Sequence, residues 1–215
     1  MTVSCNPAIP ISGLVQCLDA SNPRSYPGSG LTWYDLSSNG HNITLGSSVS
    51  YQSGVGNGVL QFTTDGNSYG RNTSLNLSSS NNTVVSFVRK LDTNSGRTIT
   101  AYNNNWLMAH HNSGTWGDYY AEGWVNDSSS GPNITTWRMF TATGDISNDT
   151  WAIYANETLL ASNSNGAGGP NGWNLNAQYS QYSNCQISNL IVYNRVLTTS
   201  EISQLFNAYR GRFGI

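Results

Sequence analysis

The sequence predicts an all-β chain, an antiparallel β-sandwich of jelly-roll type closed by one short C-terminal helix. Short apolar or alternating runs recur at intervals of about ten residues, with Gly, Asn, Ser and Pro between them, which is the rhythm of sandwich strands and their turns. A single helical stripe, Ile202, Leu205, Phe206 and Tyr209 at i, i+3, i+4 and i+7, stands at the end of the chain. A hydrophobic content of 37%, with 7 Trp and 12 Tyr, supplies a core. Few aromatics and high net charge are the signature of disorder, and neither is found here.

Gly13–Leu18 reads as the opening strand, with Asp19-Ala-Ser-Asn-Pro23 as its turn. Trp33-Tyr-Asp35 precedes a Ser-Ser-Asn-Gly40 turn, and His41–Leu45 follows as a strand. Asn57-Gly58 breaks the next stretch before Val59–Phe62. Thr83–Arg89 and Arg97–Tyr102 alternate as strands do. Trp137–Thr143 and Thr150–Ala155 form a meander around Gly144–Asp149, and Ser162–Gly172 reads as a loop. Ile187–Arg195 is the last strand and its corner. Thr198 and Glu201 then stand at the spacing of a capping box. Glu201 also suits the positive end of the helix dipole, Arg210 and Arg212 load the last turn, and Gly211 is the expected stop. With no linker in sight, residues 1–215 read as one domain, with 1–11 an N-terminal extension and 198–210 the closing helix.

Charged residues make up only 9% of the chain and the formal net charge is −2. Lys90 is the only lysine and the arginines are scattered, so the chain lacks the clustered cations that phosphate backbones need, and nucleic acid is excluded as a partner. No apolar run reaches the length of a membrane span. The first residues show neither the charged nor the apolar region of a signal peptide, so no export leader is expected. The N-x-[ST] sequons, from Asn42 to Asn156, are what chance supplies in a chain this rich in Asn, Ser and Thr. Cys5, Cys17 and Cys185 are an odd set, so at most one disulfide forms. Free thiols are the simpler reading; if the first and last strands are neighbours, Cys17 with Cys185 is the pair to test.

Several pieces, in order, resemble the laminin-G / concanavalin A-like lectin and glucanase superfamily. They are Gly13-Leu-Val-x-x-Leu-Asp-Ala20, Trp33-Tyr-Asp-Leu-Ser-Ser-Asn-Gly40, Phe62 with Asp65-Gly66, Val84–Val88, Thr136-Trp137, Trp151–Asn156 and the closing Ile187-Ser-Asn-Leu segment through Ile202. The resemblance covers roughly residues 12–215. It implies a concanavalin A-like sandwich in which Asp19, Asn22, Trp33 and Asp35 pin the sheet as turn and packing residues. At Tyr154-Ala155-Asn156-Glu157 relatives carry a glycine after the asparagine, and a different turn is implied. Asn22–Tyr26 and the Arg-Gly-Arg-Phe-Gly ending resemble versions in structural proteins of tailed phages. That implies a virion protein made in the host cytoplasm, a head decoration or a tail or fibre component. Its partners are then other capsid or tail subunits and cell-surface glycans, with an oligomeric form allowed.

Glucanases of this superfamily carry Glu-x-Asp-x-x-Glu on one strand, and none of Glu122, Glu157 and Glu201 lies in such a pattern. Asp118 and Glu122 are the best-placed pair, yet on an extended strand they stand about 13 Å apart, whereas glycoside hydrolysis needs roughly 5–9.5 Å. No catalysis is therefore expected, and a polysaccharide-degrading glucanase or lyase is the alternative. Residues 103–124 are the densest aromatic and polar stretch. Asn105, His110, His111, Trp116, Asp118, Tyr119 and Tyr120 are the candidate glycan contacts, because sugars need flat apolar faces together with planar polar groups. Trp106 and Trp124 are expected in the core, and Trp116, between Gly114 and Gly117, on the surface. No cofactor is required. Calcium is the ion that the resemblance allows, with Asp118, Glu122, Asp145 and Asp149 as oxygen donors, although turn formation explains the same residues. The two adjacent histidines read as loop hydrogen-bonders ahead of metal ligands.

Overall fold

The computed structural model describes residues 5–112, 115–128 and 134–215. In chain order its strands begin with β1 (Leu14–Asp19), β2 (Thr32–Trp33), β3 (Ile43–Leu45), β4 (Ser50–Gln52), β5 (Val59–Phe62) and β6 (Gly70–Asn76). They continue with β7 (Asn82–Lys90), β8 (Ile99–Thr100), β9 (Trp106–Ala109), β10 (Asp118–Ala121), β11 (Trp124–Asn126) and β12 (Arg138–Asp145). The last are β13 (Thr150–Ala155), β14 (Thr158–Asn163), β15 (Asn171–Leu175), β16 (Cys185–Ile187) and β17 (Asn189–Tyr193), followed by the helix α1 (Thr199–Tyr209).

Nine strands form one antiparallel sheet in the order β14-β13-β12-β7-β16-β5-β4, with β17 also on β7 and β1 on β17. Two four-stranded sheets, β11-β10-β9-β8 and β15-β6-β3-β2, cover one of its faces, and α1 covers the other. β7 shows why this order holds. It is buried on both faces, so Val84 and Val88 point into the sandwich core while Val85 and Phe87 point under the helix. In the sandwich core Trp33, Trp106, Trp151 and Trp173 are fully buried, each worth a few kcal/mol of apolar burial. Trp173 donates its indole N–H to Gln16 Oε1 at 2.8 Å, which accounts for a glutamine inside the sheet. Phe87 meets Phe206, Tyr209 and Phe213 on the helix side.

The closing segment follows its local signals. Thr198 caps α1 in a reciprocal capping box with Glu201, whose carboxylate also pairs with Arg195. Gly211 does not stop the helix. The chain tightens after Tyr209 into a 3₁₀ turn over Arg210–Arg212, and the first left-handed glycine is Gly214. Ser188 separates β16 from β17, and Asn189 replaces the missing ladder bond by accepting from Phe87 N through Oδ1 at 2.8 Å. The Ser162–Gly172 stretch is a loop only in its middle, since β14 and β15 take its ends. Arg97–Tyr102 keeps only Ile99 and Thr100 in a strand, because Arg97 and Tyr102 bond out to residues 171–181. At the hairpin between β13 and β14, Asn156 takes φ +55° in place of a glycine, and its amide ties back to Met139.

The cysteines differ both from the free-thiol reading and from the Cys17–Cys185 pair, although β1 and β17 are neighbours. Cys17 is bonded to Cys5, and Cys185 is a buried free thiol. The reason is the layering: Cys17 points to the helix side of the large sheet and Cys185 into the sandwich core. The N-terminal extension thereby joins the helix layer, where Tyr193 donates its hydroxyl to Pro10 O. Residues 1–4 and Gly114 lie outside the described residues, as does the sequon asparagine Asn133. Among the described residues no helix is long and apolar enough to cross a membrane.

Candidate functional site

Alternation along β9 and β10 sorts the seven candidate residues into an inner and an outer set. Tyr119 and Ala121 face the core with Trp106 and Met108, and the same alternation points His110 inward. Tyr119 lies edge-on to Trp106 and donates its hydroxyl to Thr143 O, and burial raises its pKa. His110 stands edge-on to Phe140, and burial holds its imidazole well below its ordinary pKa, in the neutral form. Asp118 points outward but is sealed by the surrounding loops. It accepts from His111 N at 3.1 Å, Thr115 Oγ1 at 2.8 Å and Ser128 N at 3.1 Å, and burial lifts its pKa to about 6. These three residues therefore support the surface from beneath.

Trp116 goes elsewhere. Its half-buried ring lies 4.0 Å under the Arg138 guanidinium and leans on Phe140. Asn105, His111 and Tyr120 reach the outer face together. Trp124 joins them instead of entering the core. It is the first residue of the edge strand β11, where the register with β10 slips, and its ring stands 5.1 Å from Tyr120 and 5.5 Å from His111.

Residues far away in sequence complete this surface. Gly96 adopts φ +149° and passes so close to the 176–184 segment that a Cβ there would lie 2.2 Å from Tyr182 O. That approach lets Gly96 N donate to His111 O and Arg97 N donate to Gln181 O. The Arg97 side chain then donates through Nη1 to Asn105 Oδ1 at 2.9 Å and to Gln178 Oε1 at 2.8 Å, and through Nε to Gln181 Oε1. Its guanidinium lies 5.0 Å from the ring of Tyr179, which is 64% exposed. Tyr179 and Ser180 both take left-handed backbone conformations, at φ 54° and 58°. Two such residues in a row cost on the order of 2–4 kcal/mol, and strain of this kind is concentrated at functional sites. Arg97, Gln178, Tyr179 and Gln181 were not singled out from the sequence. The Gln-Tyr-Ser-Gln-Tyr run at 178–182 is the signal that could have found the last three, since it repeats an amide beside an aromatic ring, and nothing local marks Arg97.

A separate open cavity of about 390 Å³ lies on β3 and β6, lined by Asn42, Thr44, Arg71, Asn72 and Ser74 among others. It is polar throughout and lacks an aromatic wall, so it offers a sugar hydroxyl contacts without a stacking face. Of the calcium candidates, Glu122 is exposed and accepts from Asn105 N, while Asp145 accepts from Asn148 in a turn that includes Asp149 at φ 49°. Among the described residues no three His, Cys, Asp or Glu side chains gather as a metal site.

The architecture is an antiparallel all-β sandwich closed by one short helix, and solved structures share its fold. No protein-family model and no curated protein matches the chain. The binding domain of Paraclostridial Mosquitocidal Protein 1 superposes with a TM-score of 0.68 at 18% identity, over 92% of this chain and 52% of that one. The receptor-binding domain of botulinum neurotoxin type G does so at 0.61 and 18%, over 91% and 51%. This chain thus spans about half the length of either domain. Domain 4 of AbnA, an extracellular GH43 arabinanase from Geobacillus stearothermophilus solved with arabinotriose, matches at 0.68 and 16%, over 90% of this chain and 98% of its own. At these identities the likeness is one of fold.

Proposed function

We propose that this chain is a non-catalytic, lectin-like recognition module that binds glycan on the surface formed by β9–β11 and residues 176–184. The observation that carries this reading is the gathering of the exposed ring of Tyr179 and the half-buried rings of Tyr120 and Trp124 with the planar amides of Asn105 and Gln181, which Arg97 holds in place. Sugar recognition asks for that pairing of apolar faces and fixed polar groups. The likeness to a domain solved with arabinotriose supports it. The carboxylates favour binding over hydrolysis: Asp118 is sealed, Glu122 is tied to the backbone of Asn105, Glu157 sits in a hairpin turn and Glu201 caps α1. No cofactor enters the proposal.

The test is a glycan array with the wild-type chain and with Tyr120→Ala and Trp124→Ala, each with calcium and with chelator. Reproducible binding that falls at least roughly tenfold in the variants, for about 1–3 kcal/mol of lost stacking, supports the reading. An array on which the wild type binds no glycan in either condition removes it. Attachment within a virion is the setting proposed, on the resemblances at Asn22–Tyr26 and Arg210–Gly214. Mass spectrometry of purified particles tests that setting, and absence of the chain from them removes it.

A further inference from the structure

Arg97 is 7% exposed and, among the described residues, has no carboxylate partner. Its acceptors are three neutral amides, those of Asn105, Gln178 and Gln181. The ionisable groups that face it are the phenols of Tyr179 and Tyr120 and the imidazole of His111, none of which carries a negative charge near neutral pH. Glu122 is engaged with Asn105 N, and Asp127 acts on His111 and not on the guanidinium. A guanidinium held this deep without a counter-charge is costly, and an anion at its side repays the cost. Nε and Nη1 are committed, whereas no described residue accepts from Nη2. That uncommitted nitrogen belongs to the guanidinium that stands 5.0 Å from the exposed ring of Tyr179.

We infer that Arg97 is the anion seat of the glycan surface, and that its ligand is an acidic sugar whose carboxylate rests on Nη2 while the ring packs on Tyr179. This rests on the glycan reading and narrows it to carboxylated glycans of the uronic or sialic type. Sulfated glycans fit less well, because polyanions are held by clustered cations and this surface offers one. The only lysine, Lys90, is buried and donates to Asn94 O.

The experiment is calorimetric titration of the full chain with oligogalacturonates, with the same oligosaccharides methyl-esterified, with oligosialic acid and with a sulfated neutral oligosaccharide. A charge-assisted bond to a buried guanidinium predicts that a free acid, uronic or sialic, binds roughly ten- to a hundredfold tighter than the methyl ester. The same preference should vanish in Arg97→Gln. If that variant fails to fold, the comparison of acid with ester on the wild-type chain still decides. Equal affinity for acid and ester, an acid preference that survives in Arg97→Gln, or a preference for the sulfated sugar overturns the carboxylate seat. Binding of neutral sugars without an acid preference removes this inference alone. Silence towards every sugar removes the glycan reading with it.

Discussion

Asp118 accepts three hydrogen bonds, from His111 N, Thr115 Oγ1 and Ser128 N, yet burial still lifts its pKa from 3.8 to about 6. Loss of hydration therefore outweighs the three donors. The folded chain holds the proton more tightly than the unfolded one, so between about pH 4 and pH 6 the native state binds more protons. The stability that Asp118 contributes then falls as pH rises through that window and is gone above it. The full effect is at most about 3 kcal/mol, from two pKa units at 1.36 kcal/mol each. Glu201 runs the other way. Its pKa is lowered to about 2, first by the hydrogen bond from Arg195, so its contribution is present above pH 4.5 and is lost as pH falls toward 2. That pair is partly exposed, at 29% and 25% of its side chains, and solvent screening holds it to about 1 kcal/mol. The imidazoles of His110 and His111, held below their ordinary pKa first by burial, also oppose Asp118, since what they contribute is present at higher pH and is lost as pH falls below 6.5. The Asp118 contribution is therefore read as a difference: the urea midpoint of the wild type relative to that of Asp118→Asn should decline as pH rises from about 4 to about 6. A difference that grows over this range contradicts the assignment. None of this was legible in the sequence, where Asp118 looked like a ligand contact. Alternation points it outward, and only the loops that close over it take it out of reach.

At the scale of elements, the local devices were the readable ones. The capping box at Thr198 and Glu201, the stripe on α1 and the strands β5 and β13 stand where their residues placed them, because each signal is complete within a few neighbours. What depends on distant chain was not readable. Arg97 left its strand for Gln181, and Trp124 moved from core to surface through a register slip between β10 and β11. The cysteines belong to the same class, since no local feature says which face of the sheet each one takes. The structure makes a countable prediction here. The unreduced native chain should present no fast-reacting thiol, because burial pushes Cys185 up to about 12. Unfolding without reductant should expose one thiol, and reduction should raise the count to three. Reduction should also lower stability by roughly 3 kcal/mol, since the Cys5–Cys17 bridge closes a loop of 12 residues. Three thiols in the unreduced, unfolded chain would show that the bridge does not form.

At the scale of the molecule, the layers are held by apolar burial and neutral hydrogen bonds, and charge contributes little. The described residues contain two salt bridges, Arg195 with Glu201 and Arg212 with Asp19. The second fixes the 3₁₀ turn after α1 onto the end of β1 and is the less exposed of the two. The fold class followed from the sequence because a chain with 9% charged residues and strands at short intervals has few other ways to bury most of its tryptophans, Trp33, Trp106, Trp137, Trp151 and Trp173. The surface proposed for glycan was only partly legible, because it is assembled from the 91–98, 103–112, 115–124 and 176–184 segments and exists only once the sheets are stacked. Folding and recognition should therefore answer differently to salt. Raising sodium chloride from about 0.01 M to about 1 M shortens the screening length from about 30 Å to about 3 Å. The unfolding free energy should move by less than about 1 kcal/mol across that range, since the described residues hold two ion pairs and a pair as covered as Arg212–Asp19 is screened little. Binding of a carboxylated sugar at Arg97 should weaken over the same range, because the ligand approaches its counter-charge from water. A fold that loses several kcal/mol in high salt would mean that ion pairs carry the layers, and a salt-independent affinity would mean that the ligand makes no use of the guanidinium.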